Sequence, residues 1–163
     1  MHDDITMLMK VSENWKNFQD YIAALSRKYR KRAEKIIQAG STLVRKNLSL
    51  EEITHYQNEI ENLYLQVAHN QTVRLGILNQ LYFINMKKNL KDSFELIGYF
   101  DKEKLVAFSS YIYYESHVEI HYIGFSYAQN NQFQLYFNIL FDGLKEALSK
   151  GFKKIELGRT AKE

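Results

Sequence analysis

The chain has no cysteine and no proline among its 163 residues. Lack of cysteine rules out disulfides and thiolate metal sites and fits a reducing compartment. Lack of proline leaves nothing in the backbone to force helices or strands to break, which is consistent with long elements. Net charge is scarce too: 22 basic against 19 acidic side chains leave +3, too little by itself to imply a polyanionic partner. No run approaches the roughly 18 apolar residues of a membrane span, and the N-terminus MHDDITMLMK lacks the basic-then-apolar order of a signal peptide. Aromatic residues are what the chain has in plenty. With 12 Tyr, 10 Phe and 45% hydrophobic residues, it does not read as disordered. The length suits one domain with a real core and not two. These bounds point to a soluble, cytoplasmic, single domain.

Residues 117–163 read as strand, polar loop, helix and strand. In HVEIHYIGFSY, His117, Glu119, His121, Ile123 and Phe125 share one face, and Val118, Ile120, Tyr122 and Gly124 the other. Phe133, Phe137, Leu140, Leu144 and Leu148 recur at threes and fours, which predicts a helix with Gly151 at its C-cap. The strand KKIEL follows. Such a crossover sets its two strands parallel, with a right-handed connection. Gly124 interrupts a strong strand and marks a bulge or a close backbone approach. Residues 128–132 form an amide-rich loop in which Asn130 or Asn131 serves as N-cap, so the helix start is a candidate anion site.

Upstream, Trp15, Phe18, Ile22, Leu25, Tyr29, Ala33 and Ile36 form one stripe of a helix that Gly40 ends. Arg27, Lys28, Arg30, Lys31, Arg32 and Lys35 lie on its other face. That face reads first as solvated surface and second as a surface for tRNA. STLVRKN is a short strand. Ser49 and Glu52 make a capping box, with Leu48 stapled onto Ile53, opening a helix to about His69; another runs from about Val73 to Leu90. SFELIGYF, KLVAFSSYIYY and HVEIHYIGFSY, joined by tight turns, predict an antiparallel meander. The expected fold class is therefore α/β (α+β). It has a mixed sheet of antiparallel meander plus one parallel crossover strand, flanked by helices. Residues 1–40 read as an extra N-terminal amphipathic basic helix and 41–163 as the core.

That order resembles the GNAT acyltransferase fold, in the branch with the Fem-type peptidoglycan aminoacyltransferases and their acyl-CoA-dependent relatives. The likeness is carried by NFQDYIAALSRKYRKRAEK, FELIGYFDKEKLVAFSSYIYY, the segment from HYIGFSY to the C-terminus, and above all Gly158-Arg159-Thr160. It covers residues 13 to 163 and lies in the order of elements more than in any signature. The chain departs from the wider superfamily at Gln129-Asn130-Asn131-Gln132, where a Gln or Arg followed by a Gly-x-Gly/Ala pattern is usual. It also stops at Glu163, where such domains continue into another helix and two strands. The expectation is a fragment, or a sheet completed by another copy. The resemblance implies an N-acyltransferase moving an acyl group from acyl-CoA, acetyl-CoA foremost, to a small-molecule or peptide amine, with no metal. Two other readings stay open. One is aminoacyl transfer from charged tRNA. The other is a catalytically inactive module that dimerises through an exposed last strand.

Under the leading reading, backbone N–H groups at Ile123, Gly124 and Phe125 hold the thioester carbonyl and pantetheine arm. Gln129, Asn130, Asn131 and Gln132 hold the diphosphate. Glu119 and His121 are the base candidates, because they flank the proposed thioester and imidazole titrates near neutrality. Tyr127 is a candidate acid. Arg159 and Thr160, at the C-terminal end of the last strand, are placed to contact substrate, and Arg159 can clamp a carboxylate or phosphate. Each residue also has a plainer role. Gly124 relieves packing, the amides cap a helix, Glu119 and His121 pair with tyrosines, and Arg159 pairs with Glu156 or Glu163. His117 and His121 are separated by roughly 13 Å of strand, too far to share one metal ion.

Overall fold

The computed structural model describes residues 7–70 and 76–158. Six strands form one sheet: β1 (Leu8–Lys10), β2 (Val44–Asn47), β3 (Phe94–Asp101), β4 (Lys104–Tyr113), β5 (Val118–Phe125) and β6 (Lys154–Glu156). Their order across the sheet is β1-β6-β5-β4-β3-β2. The expected meander β3-β4-β5 lies at its centre, and among the described residues β5 and β6 form the one parallel pair. β1 pairs antiparallel with β6 from Leu8↔Glu156 to Lys10↔Lys154. The last strand is therefore not the exposed edge expected from the sequence. A dimer through that edge loses its physical basis, because the N-terminal strand already takes the hydrogen bonds.

Helices cover both faces of the sheet. On one lie α3 (Leu50–His55), α4 (Gln57–His69) and α5 (Tyr82–Leu90), packed on Phe94, Leu96, Phe108 and Ile112. On the other lies α7 (Leu135–Ser149), reached from β5 through α6 (Tyr127–Phe133). Leu135, Ile139 and Ala147 of α7 face the sheet. Leu144 and Leu148 face α1 (Phe18–Ala24) and α2 (Arg27–Ala39) through Phe18, Ile22 and Ala33. Each fully buried Phe, Leu or Ile contributes about 1.5–3 kcal/mol of transfer free energy. The N-terminal helices thus share a core with α7. Among the described residues no helix is long and apolar enough to cross a membrane.

The elements expected to be unbroken are interrupted despite the missing proline, and side chains satisfy the breaks at α1–α2 and α6–α7. α1 and α2 are separate helices. Asn17 Oδ1 accepts from Asp20 N–H at 3.0 Å to start the first, and Arg30 Nη2 donates to the carbonyls of Ala23 (2.9 Å) and Leu25 (3.0 Å) at its end. Tyr29, assigned to the apolar stripe, is 57% exposed. The Ser49–Glu52 capping box forms as expected, but its helix is re-started after Tyr56. α5 begins at Tyr82 rather than Val73, which lies outside the described residues. Gln134, with φ 51°, separates α6 from α7. Asn138 Nδ2 bridges that break, donating to Phe133 O (2.9 Å), Gln134 O (3.1 Å) and, on α2, Ile36 O (2.9 Å).

Candidate active site

The bulge in β5 lies at His121–Tyr122. Between the pairs Ser109↔Ile123 and Tyr111↔Ile120, β4 advances two residues while β5 advances three. Ser110 fills the gap in the ladder: its Oγ accepts from Tyr122 N–H (2.9 Å) and donates to Tyr122 O (2.7 Å). An extra residue reverses the alternation that follows it. Ile123 and Phe125 consequently join Val118 and Ile120 in the α7-side core, while Tyr122 joins the core on the other side. The single face expected for His117 to Phe125 therefore ends at His121. Gly124 has the second of its two expected roles. A Cβ there would sit 2.6 Å from backbone atoms of Leu63 and Tyr64 in α4 and 2.4 Å from the Phe108 ring. It permits close packing of α4 and is not the bulge.

The bulge brings His121 beside Tyr82, the first residue of α5. The Tyr82 hydroxyl lies 2.5 Å from His121 Nε2, and Glu119 Oε1 lies 3.1 Å from Nδ1. Tyr114 donates its hydroxyl to Glu119 Oε2 at 3.2 Å. An ionised carboxylate only accepts, which places the imidazole proton on Nδ1 and leaves Nε2 to accept from Tyr82. The Tyr82 ring stacks on His121 and meets Tyr122 edge-on. Burial, then the Tyr122 phenol and the Glu119 charge, push the Tyr82 phenol up to about 12. Burial alone would raise Glu119. The hydrogen bond and charge of His121 and the Tyr114 hydroxyl outweigh it and hold the carboxyl below its ordinary range. The side chains of His121 and Glu119 are each 18% exposed. Such an imidazole can take a proton at Nε2 once the phenol gives way, with the carboxylate stabilising the imidazolium. His117 points instead at Glu156, 3.5 Å away, and stacks on Tyr114.

The relay stands where β6 ends. Among the described residues β5 pairs with β6 at Val118↔Ile155 and Glu119↔Glu156, and β5 continues to Phe125, past the end of β6 at Glu156. Gly158, with φ 70°, passes so close that a Cβ there would lie 2.8 Å from Ile120 O. Ser126 N–H donates to Val106 O in β4. Backbone groups alternate along a strand, so Gly124 also addresses β4, whereas Ile123 and Phe125 turn their N–H and C=O to the other edge of β5, beyond the end of β6.

No protein-family model and no curated protein matches the chain. Solved structures do. FemX superposes with a TM-score of 0.73 at 11% identity, over 97% of this chain and 53% of that one. The C-terminal DUF2156 domain of a candidate lysylphosphatidylglycerol synthetase from Agrobacterium fabrum gives 0.57 at 14% identity, over 94% and 45%. A candidate acetyltransferase from Clostridium acetobutylicum, solved with acetyl-CoA, gives 0.51 at 10% identity, over 69% and 78%. The chain has a GNAT fold. It spans about half the length of the FemX and DUF2156 structures it matches.

Within this GNAT fold the expected diphosphate cradle changes. Asn130, Asn131 and Gln132 lie inside α6, whose N-cap is Ser126. Its first donors are largely engaged: Ser126 N–H on Val106 O, Tyr127 N–H on Gln66 Oε1 and Gln129 N–H on Ser126 O. Asn130 does cap a helix, but the next one, its Oδ1 accepting from Tyr136 N–H at 3.1 Å. Gln129 differs: its Oε1 is buried with no hydrogen-bond partner among the described residues. Tyr127 is 43% exposed with its ring on Phe125, six residues past His121. The structure thus joins Glu119 to His121 and leaves Tyr127 out of the relay. Arg159 and Thr160 lie outside the described residues. Tyr82, Tyr114 and Ser110 were not singled out from the sequence. The one local hint was the hydroxyl doublet Ser109-Ser110 inside an apolar strand.

Proposed function

We propose that this chain is an N-acyltransferase that moves an acyl group from an acyl-CoA thioester, acetyl-CoA foremost, to an amine. The observation that carries this reading is the chain Tyr82–His121–Glu119, set where β5 runs on past the end of β6. His121 Nε2 takes a proton from the acceptor ammonium as the hydroxyl of Tyr82 yields its place. Glu119, kept ionised, stabilises the resulting imidazolium and fixes the ring. The N–H groups of Ile123 and Phe125 orient the acyl carbonyl, and donors so placed stabilise the developing oxyanion. The thioester supplies the activated carbonyl, whose C–S bond breaks as the C–N bond forms, and the departing thiolate takes up the proton that the acylated nitrogen gives up. An amide-bearing arm suits this stretch, which offers strand-edge donors and, in the first turn of α6, the unpartnered Gln129 oxygen. A role for Asn130, Asn131 and Gln132 on a diphosphate has no support from α6, and Arg159 and Thr160 stay as proposed substrate contacts.

The absence of cysteine makes the test direct, because a thiol reagent reads coenzyme A release with no protein background. Acetyl-CoA with a panel of amines is expected to release thiol with the wild type and not with His121→Ala. Calorimetry showing no coenzyme A binding at millimolar ligand, together with no thiol release, overturns the thioester reading. The exposed basic residues Lys28, Lys31 and Lys35 on α2 favour charged tRNA as the second donor to try. Binding of tRNA that falls steeply with salt would favour it.

A further inference from the structure

Helix α2 carries a concentration of charge that the folded chain leaves unbalanced. Residues 27–35 hold six of the 22 basic side chains against the one carboxylate of Glu34, while in the rest of the chain acidic side chains outnumber basic ones. Only Ala33 and Ile36 of α2 are buried. At about 100° per residue, Arg27, Lys28, Lys31 and Lys35 share the face opposite that pair, and all four are exposed. Among the described residues no ion pair engages any of them. A solvated helix face usually relieves such crowding with carboxylates one turn away. Here Arg27, Lys31 and Lys35 follow one another at i, i+4 and i+8, so surface neighbours repel. Arg27 and Lys28 also stand in the first turn, at the positive end of the helix dipole. No acidic residue occupies that turn, and Ser26 makes no side-chain cap bond. A segment that breaks several local rules without compensation inside the chain is where a function is to be sought.

Which anion suits this face follows from the cations that stay free. Two guanidiniums are engaged: Arg30 Nη2 donates to Ala23 O and Leu25 O, and Arg32 lies 5.1 Å over the Phe137 ring. Those left are mainly lysines, compact charges that attract phosphate without fixing its orientation. They form a convex row on one helix of 13 residues, about 20 Å long, and not the basic groove that tracks a nucleic-acid strand. Tyr29, one turn before Arg32, is 57% exposed on the flank of the row. Such an amphipathic ring settles at headgroup level on a bilayer. The same lysines made tRNA the second donor to try. Their convex display and the commitment of Arg30 and Arg32 favour a fluid layer of phospholipid headgroups, where each nearby cation adds to the attraction.

We infer that α2 docks the protein on an anionic phospholipid bilayer, with Arg27, Lys28, Lys31 and Lys35 against the headgroups. The docking face lies on the α7 side of the sheet, away from His121, and does not depend on the chain being an acyltransferase. Co-sedimentation of the full chain with phosphatidylcholine vesicles containing about 30% phosphatidylserine tests it. Binding is expected to these vesicles and not to pure phosphatidylcholine, and it should be lost near about 0.5 M salt. Lys28→Ala/Lys31→Ala/Lys35→Ala should bind about a hundredfold more weakly, at about fivefold per charge. Alanine preserves the helix, which circular dichroism checks. Lys88→Ala/Lys104→Ala/Lys153→Ala, which removes three exposed lysines elsewhere, should bind like the wild type. Any of three results overturns the inference: no preference for anionic over neutral vesicles, equal loss in the two triple variants, or tighter binding to RNA than to the vesicles at the same salt, which would give the helix to a nucleic acid.

Discussion

His121 owes its setting to two oxygens from different parts of the chain. Glu119 stands two residues away on the same strand, and strand alternation alone makes the pair legible in the sequence. Tyr82 lies 39 residues upstream, one tyrosine among 12, and only the docking of α5 on β5 brings it to Nε2. Removing the base proposed for acyl transfer is expected to slow that reaction by about 10²–10⁴-fold. His121→Ala should show this in the thiol-release assay while keeping its circular dichroism spectrum. Glu119 also makes stability depend on pH. Its native carboxyl titrates below its ordinary value, so its contribution is complete above the unfolded value of about 4.3 and is lost as pH falls through the lower native one. Urea midpoints for wild type and Glu119→Gln should differ at pH 7 and converge as pH falls below the unfolded value of about 4.3 and through the lower native one. A constant gap would mean that the carboxylate is not what the fold uses.

At the scale of elements, the sequence order of strands and helices was readable, because period two and period three-to-four are properties of neighbours in the chain. The bulge was not. Gly124 drew attention to itself, yet the residue that opens the ladder is Ser110, on the next strand, through two hydrogen bonds to Tyr122. The break at Gln134 is equally hidden, since a left-handed non-glycine residue has no local signature and Asn138 supports it from one turn later. Two glycines separate packing against backbone from packing against a movable side chain. A Cβ on Gly124 meets α4 backbone, whereas on Gly143 it meets the tip of Ile120, at 2.5 Å from Cδ1. Gly124→Ala should cost about 1–3 kcal/mol or more, and Gly143→Ala distinctly less, by urea denaturation. Ser110→Ala removes both Oγ bonds to the half-buried N–H and C=O of Tyr122 and should cost about 0.5–1.5 kcal/mol for each bond lost. Equal costs for the two glycines would show that α4 can retreat from β5.

For the whole molecule, the sequence divides at residue 40, where Gly40 ends the basic helix. The packing crosses that division. Gly40 lies so close to α7 that a Cβ would come within 2.6 Å of Asn138 Nδ2. Phe18, Ile22 and Ala33 share a core with Leu144 and Leu148, and β1 hydrogen-bonds to β6. None of these contacts is legible locally, because each joins residues 98 or more positions apart. Their energetic consequence is cooperativity. If the N-terminal segment and the rest bury a common core, neither can unfold without exposing the other, and a chain of this size should melt in one transition. Trp15 is the single tryptophan and packs on the N-terminal side of that core, so its fluorescence reports the segment while far-UV circular dichroism reports the whole. The two urea curves should coincide, with one midpoint and one slope. A tryptophan transition at lower urea would instead make residues 1–40 a separately folding unit, and β6 would then become an edge whenever that unit opened.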